Sequence, residues 1–126
     1  MSPIAAIIAL VMLAGLALFQ AAIASGAPYG HFAWGGKHRV LPMGLRAGSL
    51  LAIVLYGLGA AIIVQRAGLA TLLPGPMVDI GIWVVLGYLA LGVPMNAISR
   101  SMPERLTMTP VILILFGLVL VVALRL

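Results

Sequence analysis

Four long, nearly uninterrupted apolar stretches constrain this chain more than any other feature of its sequence. They predict spans of about residues 3–24, 49–66, 79–96 and 110–125. A helix of about 20 mostly apolar residues crosses the hydrocarbon core of a bilayer. The stretches lack the alternation of barrel strands, and lipid offers no hydrogen-bond partners to an open backbone, so each span must be a helix. We therefore predict an all-α polytopic membrane protein, a single domain over residues 1–126 with four transmembrane helices in one bundle.

The composition of the chain excludes a soluble protein and several kinds of chemistry. Hydrophobic residues make up 64% and charged residues 7% of the sequence, and a soluble domain of this size could not bury so much apolar surface. The chain has no cysteine, which rules out disulfides, thiol catalysis and cysteine-bound metals. No basic residue precedes the first apolar stretch, so we interpret residues 3–24 as an uncleaved span rather than a signal peptide.

The basic residues indicate how the helices are oriented. The net charge is +5, and most positive side chains fall in loop one (residues 25–48) and loop three (residues 96–110). These are Lys37, Arg39 and Arg46 in loop one and Arg100 and Arg105 in loop three, against Arg66 and Arg125 on the opposite side. Because cytoplasmic loops carry the excess of lysine and arginine, we predict a multi-pass protein of the cell (inner) membrane with loops one and three cytoplasmic and both termini outside. This topology explains the positive charge better than a nucleic-acid partner does.

Small and polar residues within the spans predict how the helices pack. Gln20 is the only strongly polar side chain of the first span, and we expect it to hydrogen-bond to a neighbouring helix. Pro94 is expected to kink or end the third helix because it lacks a backbone donor. The fourth span is mostly leucine, valine and isoleucine, so we expect it to face lipid or a partner protein. Close helix contact is predicted for a stripe of small residues on the first helix: Ala14, Ala17, Ala21 and Ala24.

Loop one combines aromatic and basic residues in a segment rich in glycine and proline. The aromatic residues come first and the basic ones follow: Tyr29, Phe32 and Trp34, then Lys37, His38 and Arg39. This combination is typical of a membrane-interface segment, and each basic residue attracts anionic lipid headgroups by about 1 kcal/mol. We predict a compact lid packed on the cytoplasmic mouth of the bundle, with membrane lipids as partners.

The two acidic residues have structural interpretations. Asp79 begins the third predicted helix and is expected to cap it. Glu104 is expected to pair with Arg100 or Arg105 in its own loop. Neither acid lies in the middle of a span, where an ionisable residue indicates an ion or proton path.

The histidines leave one question open, namely whether either touches a haem or a pigment. His31 and His38 lie in one glycine-flanked loop without a carboxylate cluster, which is unlike a zinc site. No nucleophile, base and acid lie close together in the sequence. We therefore expect no catalytic, cofactor-binding or metal-binding residue.

Polar residues are densest in loops one and three, on the same predicted side of the membrane. We expect these loops to form either a hydrogen-bonded clamp, which we favour, or a lipid-facing site. The candidate residues are Trp34, Lys37, His38, Arg39, Asn96, Ser99, Arg100, Glu104 and Arg105.

Two stretches of the chain resemble a known group of proteins. They read Gly26-Ala27-Pro28-Tyr29-Gly30, Ala33-Trp34-Gly35-Gly36, Leu41-Pro42 and Arg46-x-x-Ser49 in the first, and Asn96-x-x-Ser99-Arg100-Ser101-x-x-Glu104-Arg105 in the second. Together they resemble small four-span proteins of bacterial inner membranes. The resemblance covers most of the chain and implies the fold and the location, and it implies no activity. Small multidrug-resistance transporters differ, because they need an acid within the first helix, which this chain lacks.

Three functions remain open from the sequence. We prefer a non-enzymatic accessory or structural subunit that packs against a larger membrane complex or self-associates. The first alternative is a small-solute or ion transporter or channel that acts as a homo-oligomer. Its candidate residues are Gln20, Tyr56, Tyr88, Pro94 and Asn96. The second alternative is an anionic-lipid-binding membrane protein.

Overall fold

The computed structural model describes residues 1–126 and contains four long helices. They are α1 (Ser2–Ala24), α2 (Met43–Arg66), α3 (Gly75–Ala97) and α4 (Met102–Ala123), with short 3₁₀ turns at Gly30–Phe32 and Trp34–Gly36 between α1 and α2. All four helices are long and apolar enough to cross a membrane. The predicted all-α fold, with four transmembrane helices in one bundle, is confirmed.

Three of the helices begin four to eight residues earlier than the predicted spans. Helix α2 begins at Met43 instead of residue 49, α3 at Gly75 instead of 79, and α4 at Met102 instead of 110. The apolar stretches mark only the lipid-facing part of each helix, whereas backbone hydrogen bonding continues into the more polar residues at the membrane interface. As a result, the first long loop covers residues 25–42, and the connection between α3 and α4 shrinks to residues 98–101.

Two prolines lie inside helices. Pro94 does not stop α3 at once, because the helix continues to Ala97 and the Ile98 N–H still donates to the Pro94 carbonyl. Pro94 therefore lies in the last turn of α3, as expected of a residue that ends a helix. Pro110 lies well inside α4, because the helix begins at Met102 rather than at residue 110, where the predicted span began.

The helices form an up-and-down bundle. Each helix packs against its neighbour in the chain, and α1 also packs against α4, so that the bundle closes. The seam between α2 and α3 is the least extensive of these interfaces. The termini meet at one end, where the Ser2 N–H donates to the Leu126 carbonyl over 2.9 Å. We call this the termini end, and we call the opposite end, which carries residues 25–42 (the lid), the lid end.

The apolar core lies mainly in the half of the bundle nearest the termini end. All four helices contribute to it: Ala5, Ala6, Ala9, Leu13, Ile62, Ile63, Val78, Ile82, Leu86, Leu89, Leu115, Val119, Val122 and Ala123. The half nearest the lid end contributes almost nothing to this cluster and is covered by the lid instead.

The buried faces of α1 and α4 differ from those the sequence indicated. The small residues that pack closely on α1 are Ala5, Ala6 and Ala9, whereas Ala14 of the predicted stripe is exposed. Helix α4 does not face only lipid or a partner, because one of its faces, which includes Val119, lies in the core. Both spans are apolar on all sides, so the sequence does not mark which side turns inward.

Candidate functional site

The lid is a compact structure that packs on the bundle, as predicted. The Gly30 N–H donates to the Arg39 carbonyl over 2.8 Å and closes the lid on itself. Leu41 is only 2% exposed and anchors the lid in the bundle. The Nε of Arg46, in the first turn of α2, donates to the Leu41 carbonyl over 2.8 Å. These bonds satisfy backbone groups that would otherwise be unpaired at the membrane interface.

The backbone of the turn from Trp34 to Gly36 has an unusual conformation. Trp34, Gly35 and Gly36 have φ angles of +53°, +77° and +71°. A positive φ is easy for glycine but costs a bulky residue such as tryptophan about 1–3 kcal/mol. The indole N–H of Trp34 donates to the buried Ser49 hydroxyl over 3.1 Å, and the ring packs against Gly48 of α2. These contacts compensate for the backbone conformation and fix the ring at the top of α2.

The lid is clamped to the start of α4. The Ser101 hydroxyl donates to the His31 carbonyl over 2.5 Å, and the Gly35 N–H donates to Oε2 of Glu104 over 2.9 Å. Ser101 also caps α4, because its hydroxyl accepts a bond from the Glu104 N–H. The hydrogen-bonded clamp between the first and third connections, which the sequence favoured, is confirmed.

Glu104 does not pair with an arginine, contrary to the sequence interpretation. Its side chain lies under the lid and the residue is only 6% exposed, with no basic group within ion-pairing distance. Arg105 turns away and donates to the Ser99 carbonyl over 3.2 Å, and Arg100 is exposed. The reason is that Glu104 belongs to the first turn of α4 rather than to a loop, and this turn aims the carboxylate at the lid backbone. The N-terminal end of a helix dipole also favours a carboxylate.

A cleft of about 420 Å³ opens beneath the lid where α2 begins and α3 ends. Its lining consists of Trp34, Gly35, Leu45, Met95, Asn96, Ser99 and Glu104. The cleft therefore gathers four of the predicted candidates, whereas Lys37, His38, Arg39, Arg100 and Arg105 lie outside its lining. Leu45 and Met95 carry no signal in the sequence that marks them as site residues, and Gly35 appears only within the stretch Ala33-Trp34-Gly35-Gly36. The Gly35 contribution is a backbone donor, and Leu45 and Met95 resemble the many other apolar residues of the spans.

Both ion pairs of the protein lie at the termini end. Oδ1 of Asp79 lies 3.1 Å from Nη1 of Arg66 and 3.9 Å from Nη2 of Arg125. The expectation that Asp79 caps α3 is wrong, because the helix begins at Gly75 and its N-cap position is Pro74. Asp79 lies one turn further along the helix, where its carboxylate contacts arginines from α2 and the C-terminal segment. Because Asp79 lies at the termini end and Glu104 forms no ion pair, the basic residues of the lid end have no acidic partners.

Gln20 connects two helices in the membrane, as predicted. Its Nε2 donates to the Tyr56 hydroxyl over 3.4 Å and joins α1 to α2. The other amide atom, Oε1, is buried without a hydrogen-bond partner. Tyr88 is exposed and Asn96 lies in the cleft, so the residues considered for a transport path do not form one group.

The two histidines belong to the lid. The ring of His31 packs on that of Phe32 with ring centroids 4.6 Å apart, and Phe32 in turn meets Phe19 of α1 edge to face. His31 thus contributes to the packing that holds the lid on α1. No group of three or more histidine, aspartate or glutamate side chains is placed to hold a metal ion.

Comparisons with protein-family models, curated proteins and solved structures gave no match to this chain. The resemblance to small four-span proteins of bacterial inner membranes therefore stays a prediction.

Proposed function

We propose that this chain is a non-enzymatic component of the bacterial inner membrane that associates laterally with other membrane helices. The partner is a larger membrane complex, for which the chain is an accessory subunit, or further copies of the chain. In this proposal the lid end faces the cytoplasm, because it carries most of the lysine and arginine.

Outward-facing glycines carry the proposal. Each helix has an exposed glycine well inside the span: Gly15, Gly57, Gly87 and Gly117. A Cβ atom at any of these positions would meet nothing within 4 Å, so packing inside the bundle does not require glycine there. Glycine within a helix costs about 0.5–1 kcal/mol relative to alanine. Small residues on a lipid-exposed surface allow the backbones of two membrane helices to approach closely, which supports contact with helices of another chain.

The test is native mass spectrometry of the protein extracted gently from its own membrane. We expect a discrete oligomer or a heteromeric complex from the wild type. Gly57→Leu and Gly87→Leu should reduce the associated fraction by about tenfold, because a large side chain holds two helices apart. Leu55→Met is the matched control, since Leu55 is also exposed on α2 but lies on the opposite side of the helix from Gly57.

Each result of this experiment points to a different next step. A heteromeric complex identifies the partner directly. A homo-oligomer keeps the transport alternative open and calls for solute and ion flux in liposomes. A monomeric wild type, or complexes that tolerate both glycine substitutions, would contradict the proposal.

A second candidate function is the binding of anionic lipid headgroups at the lid end. The observation that favours it is that Lys37, Arg39 and Arg100 are exposed there without an acidic partner. Such clusters attract anionic headgroups by about 1 kcal/mol per charge.

Lipid binding is tested by the composition of the lipids that remain on the purified protein. We expect anionic lipids to be enriched on the wild-type protein relative to the membrane. Replacing Lys37, Arg39 and Arg100 by glutamine in one variant should remove this enrichment, whereas Arg125→Gln at the termini end should not. If the triple variant retains the same lipids as the wild type, the basic residues of the lid end do not select them.

A further inference from the structure

Glu104 is a buried acid without a basic partner. Acidic side chains are almost never fully buried unless they are paired, because an isolated carboxylate loses most of its hydration. The Gly35 N–H and the start of α4 stabilise this carboxylate in part. A carboxylate offers about four lone-pair sites, and the Gly35 bond is the only hydrogen bond that its oxygens accept within the chain. Glu104 therefore has the capacity to accept bonds from a further donor.

The cleft contains a further hydrogen-bond acceptor besides the Glu104 carboxylate. Nδ2 of Asn96 donates to the Gly92 carbonyl over 2.7 Å. A carbonyl oxygen can only accept, so the amide nitrogen must face Gly92 and Oδ1 of Asn96 stays without a donor. The polar side chains of the cleft are therefore a carboxylate, an amide oxygen and the Ser99 hydroxyl, whose oxygen already accepts a bond from the Ser101 N–H. The negative charge and the free amide oxygen suit a cation that carries N–H groups better than an anion.

Trp34 provides an aromatic surface in the same cleft. The side chain is half exposed, although its indole N–H is bonded to Ser49 and its backbone has a positive φ. A cation over an aromatic ring is attracted by the negative face of the ring, most strongly for tryptophan. The strained backbone thus holds Trp34 in the same cleft as a buried carboxylate. Unusual backbone conformations of this kind often occur at ligand sites.

The cleft is also open to the apolar part of a ligand. It lies at the seam between α2 and α3, the least extensive interface of the bundle. Leu45 lines the cleft on the α2 side and Met95 on the α3 side, and Met95 is largely exposed on the outer surface. A hydrocarbon chain can therefore lie along the seam while the polar group of the same molecule occupies the cleft.

We infer that this cleft binds a primary ammonium group. A primary ammonium has three N–H donors for the Glu104 carboxylate and Asn96 Oδ1, whereas a quaternary ammonium has none and leaves these acceptors unpaired. Lys37 is the only lysine of the chain, and it is exposed and forms no ion pair with Glu104. The ligand is the headgroup of an aminophospholipid or a free amine from the water phase, since both present the same ammonium chemistry. This site requires no lateral association and is independent of the function proposed above.

Trp34 offers a direct probe of binding. The chain has two tryptophans, so Trp83→Phe leaves Trp34 as the only one. This protein, in neutral maltoside micelles, is titrated with dodecylammonium while the emission of Trp34 is recorded. The comparison ligands are dodecyltrimethylammonium and dodecyl sulfate, the latter kept below the concentrations that unfold the protein. We expect saturable binding of dodecylammonium, with affinity lower by at least about tenfold for the quaternary compound and no saturable change with the sulfate.

Variants show whether the signal depends on the cleft. Glu104→Gln keeps an oxygen for the Gly35 N–H but removes the charge, and it should weaken dodecylammonium binding by at least about tenfold. Asp79→Asn changes the other acid of the chain, at the termini end, and should bind as the parent does. If Glu104→Gln does not fold, Asn96→Leu removes an acceptor and fills the cleft while it retains Glu104, and it should lose binding too. Unchanged affinity in a folded Glu104→Gln or Asn96→Leu variant, or equal binding of dodecyl sulfate, would overturn the inference.

The source of the ammonium is resolved by two further measurements. In nanodiscs that contain ethanolamine and choline phospholipids, native mass spectrometry should show ethanolamine lipid retained by the wild type but not by Glu104→Gln. If the ligand is instead a free amine, ethylammonium chloride should shift the emission of Trp34 and no lipid should be selected. If neither ligand is bound, the cleft is not an ammonium site.

Discussion

At the lid end, three glycines allow close packing that a Cβ atom would prevent. A Cβ on Gly36 would overlap the side chain of Ser101, and a Cβ on Gly30 would overlap the backbone carbonyl of His38. A Cβ on Gly48 would lie 2.9 Å from Cη2 of Trp34. Gly36 and Gly48 therefore let the lid approach α4 and α2 closely, whereas Gly30 lets the lid fold back on itself.

Alanine substitutions at two adjacent glycines separate close packing from backbone strain. Gly35 and Gly36 both have positive φ, but only Gly36 lacks room for a Cβ. Gly35→Ala should lower the free energy of unfolding by about 1–2 kcal/mol through the left-handed conformation alone. Gly36→Ala should lower the free energy of unfolding by about 1–3 kcal/mol more than Gly35→Ala does, because Ser101 must move. Denaturation of the purified protein with SDS measures both, and equal effects would show that the lid does not press on Ser101.

A sequence signal for the position of Glu104 exists in the motif Ser101-x-x-Glu104. A serine followed three residues later by glutamate is typical of the start of a helix, and it indicates that α4 begins near residue 102. The span prediction followed hydropathy instead and placed Glu104 in a loop. The contact of Glu104 with Gly35 has no comparable signal, because the donor is a backbone N–H from a distant segment.

At the scale of the helices, α1 and α2 are joined by a polar contact that is only partly satisfied. Gln20 donates one long hydrogen bond to Tyr56, while its Oε1 is buried without a partner. A hydrogen bond between membrane helices contributes about 0.6 kcal/mol on average, whereas a buried unpaired acceptor costs about 1–3 kcal/mol.

We therefore expect Gln20→Leu to stabilise the bundle by about 1 kcal/mol. Tyr56→Phe, which leaves the amide of Gln20 wholly unpaired, should destabilise it by about 0.5–1 kcal/mol. Both are measured by denaturation with SDS. Clear destabilisation by Gln20→Leu would mean that Oε1 has a partner, such as a bound water or solute.

Arg66 of α2 links α3 and α4 at the termini end. The Arg66 side chain is only 13% exposed, and its Nη2 donates to the Ala123 carbonyl over 2.6 Å while Nη1 contacts Asp79. Arg66→Met keeps the apolar stem but loses these charged bonds, and should lower the free energy of unfolding by about 2 kcal/mol.

Arg125→Met is the matched control for Arg66. Arg125 is exposed and its Nη2 lies 3.9 Å from Asp79, so its loss should change stability by no more than about 0.5 kcal/mol. Similar losses of unfolding free energy from the two variants would indicate that the ion pair with Asp79, rather than the contact with α4, accounts for the effect of Arg66.

At the scale of the whole molecule, the orientation in the membrane can be tested without background labelling. The chain has no cysteine, so single cysteines report only their own positions. An impermeant maleimide applied to intact cells should label Thr71→Cys, in the loop between α2 and α3, and should label Lys37→Cys in the lid only after the membrane is permeabilised. The reverse pattern would contradict the proposed orientation, and labelling of both sites in intact cells would indicate two orientations.

The two halves of the bundle have different roles. Close apolar packing near the termini end supplies a core to which all four helices contribute. The half near the lid end has few buried side chains and is held by hydrogen bonds between the lid, α2 and α4. Weak packing beneath the lid leaves room for the cleft, so the candidate site lies where the bundle is stabilised by the lid rather than by a core.

The sequence by itself determined the membrane class, the number of spans and the meeting of both termini at one end. Hydropathy is summed over a whole span, so it needs no knowledge of which helices are neighbours. The tertiary structure alone decided that Ala9 and Val119 face inward, that Glu104 lies beneath the lid, and that Asn96 and Trp34 share a cleft. Each helix is apolar on every side, so no amphipathic stripe in the sequence records its rotation. That rotation, together with the path of the lid, brings the cleft residues together.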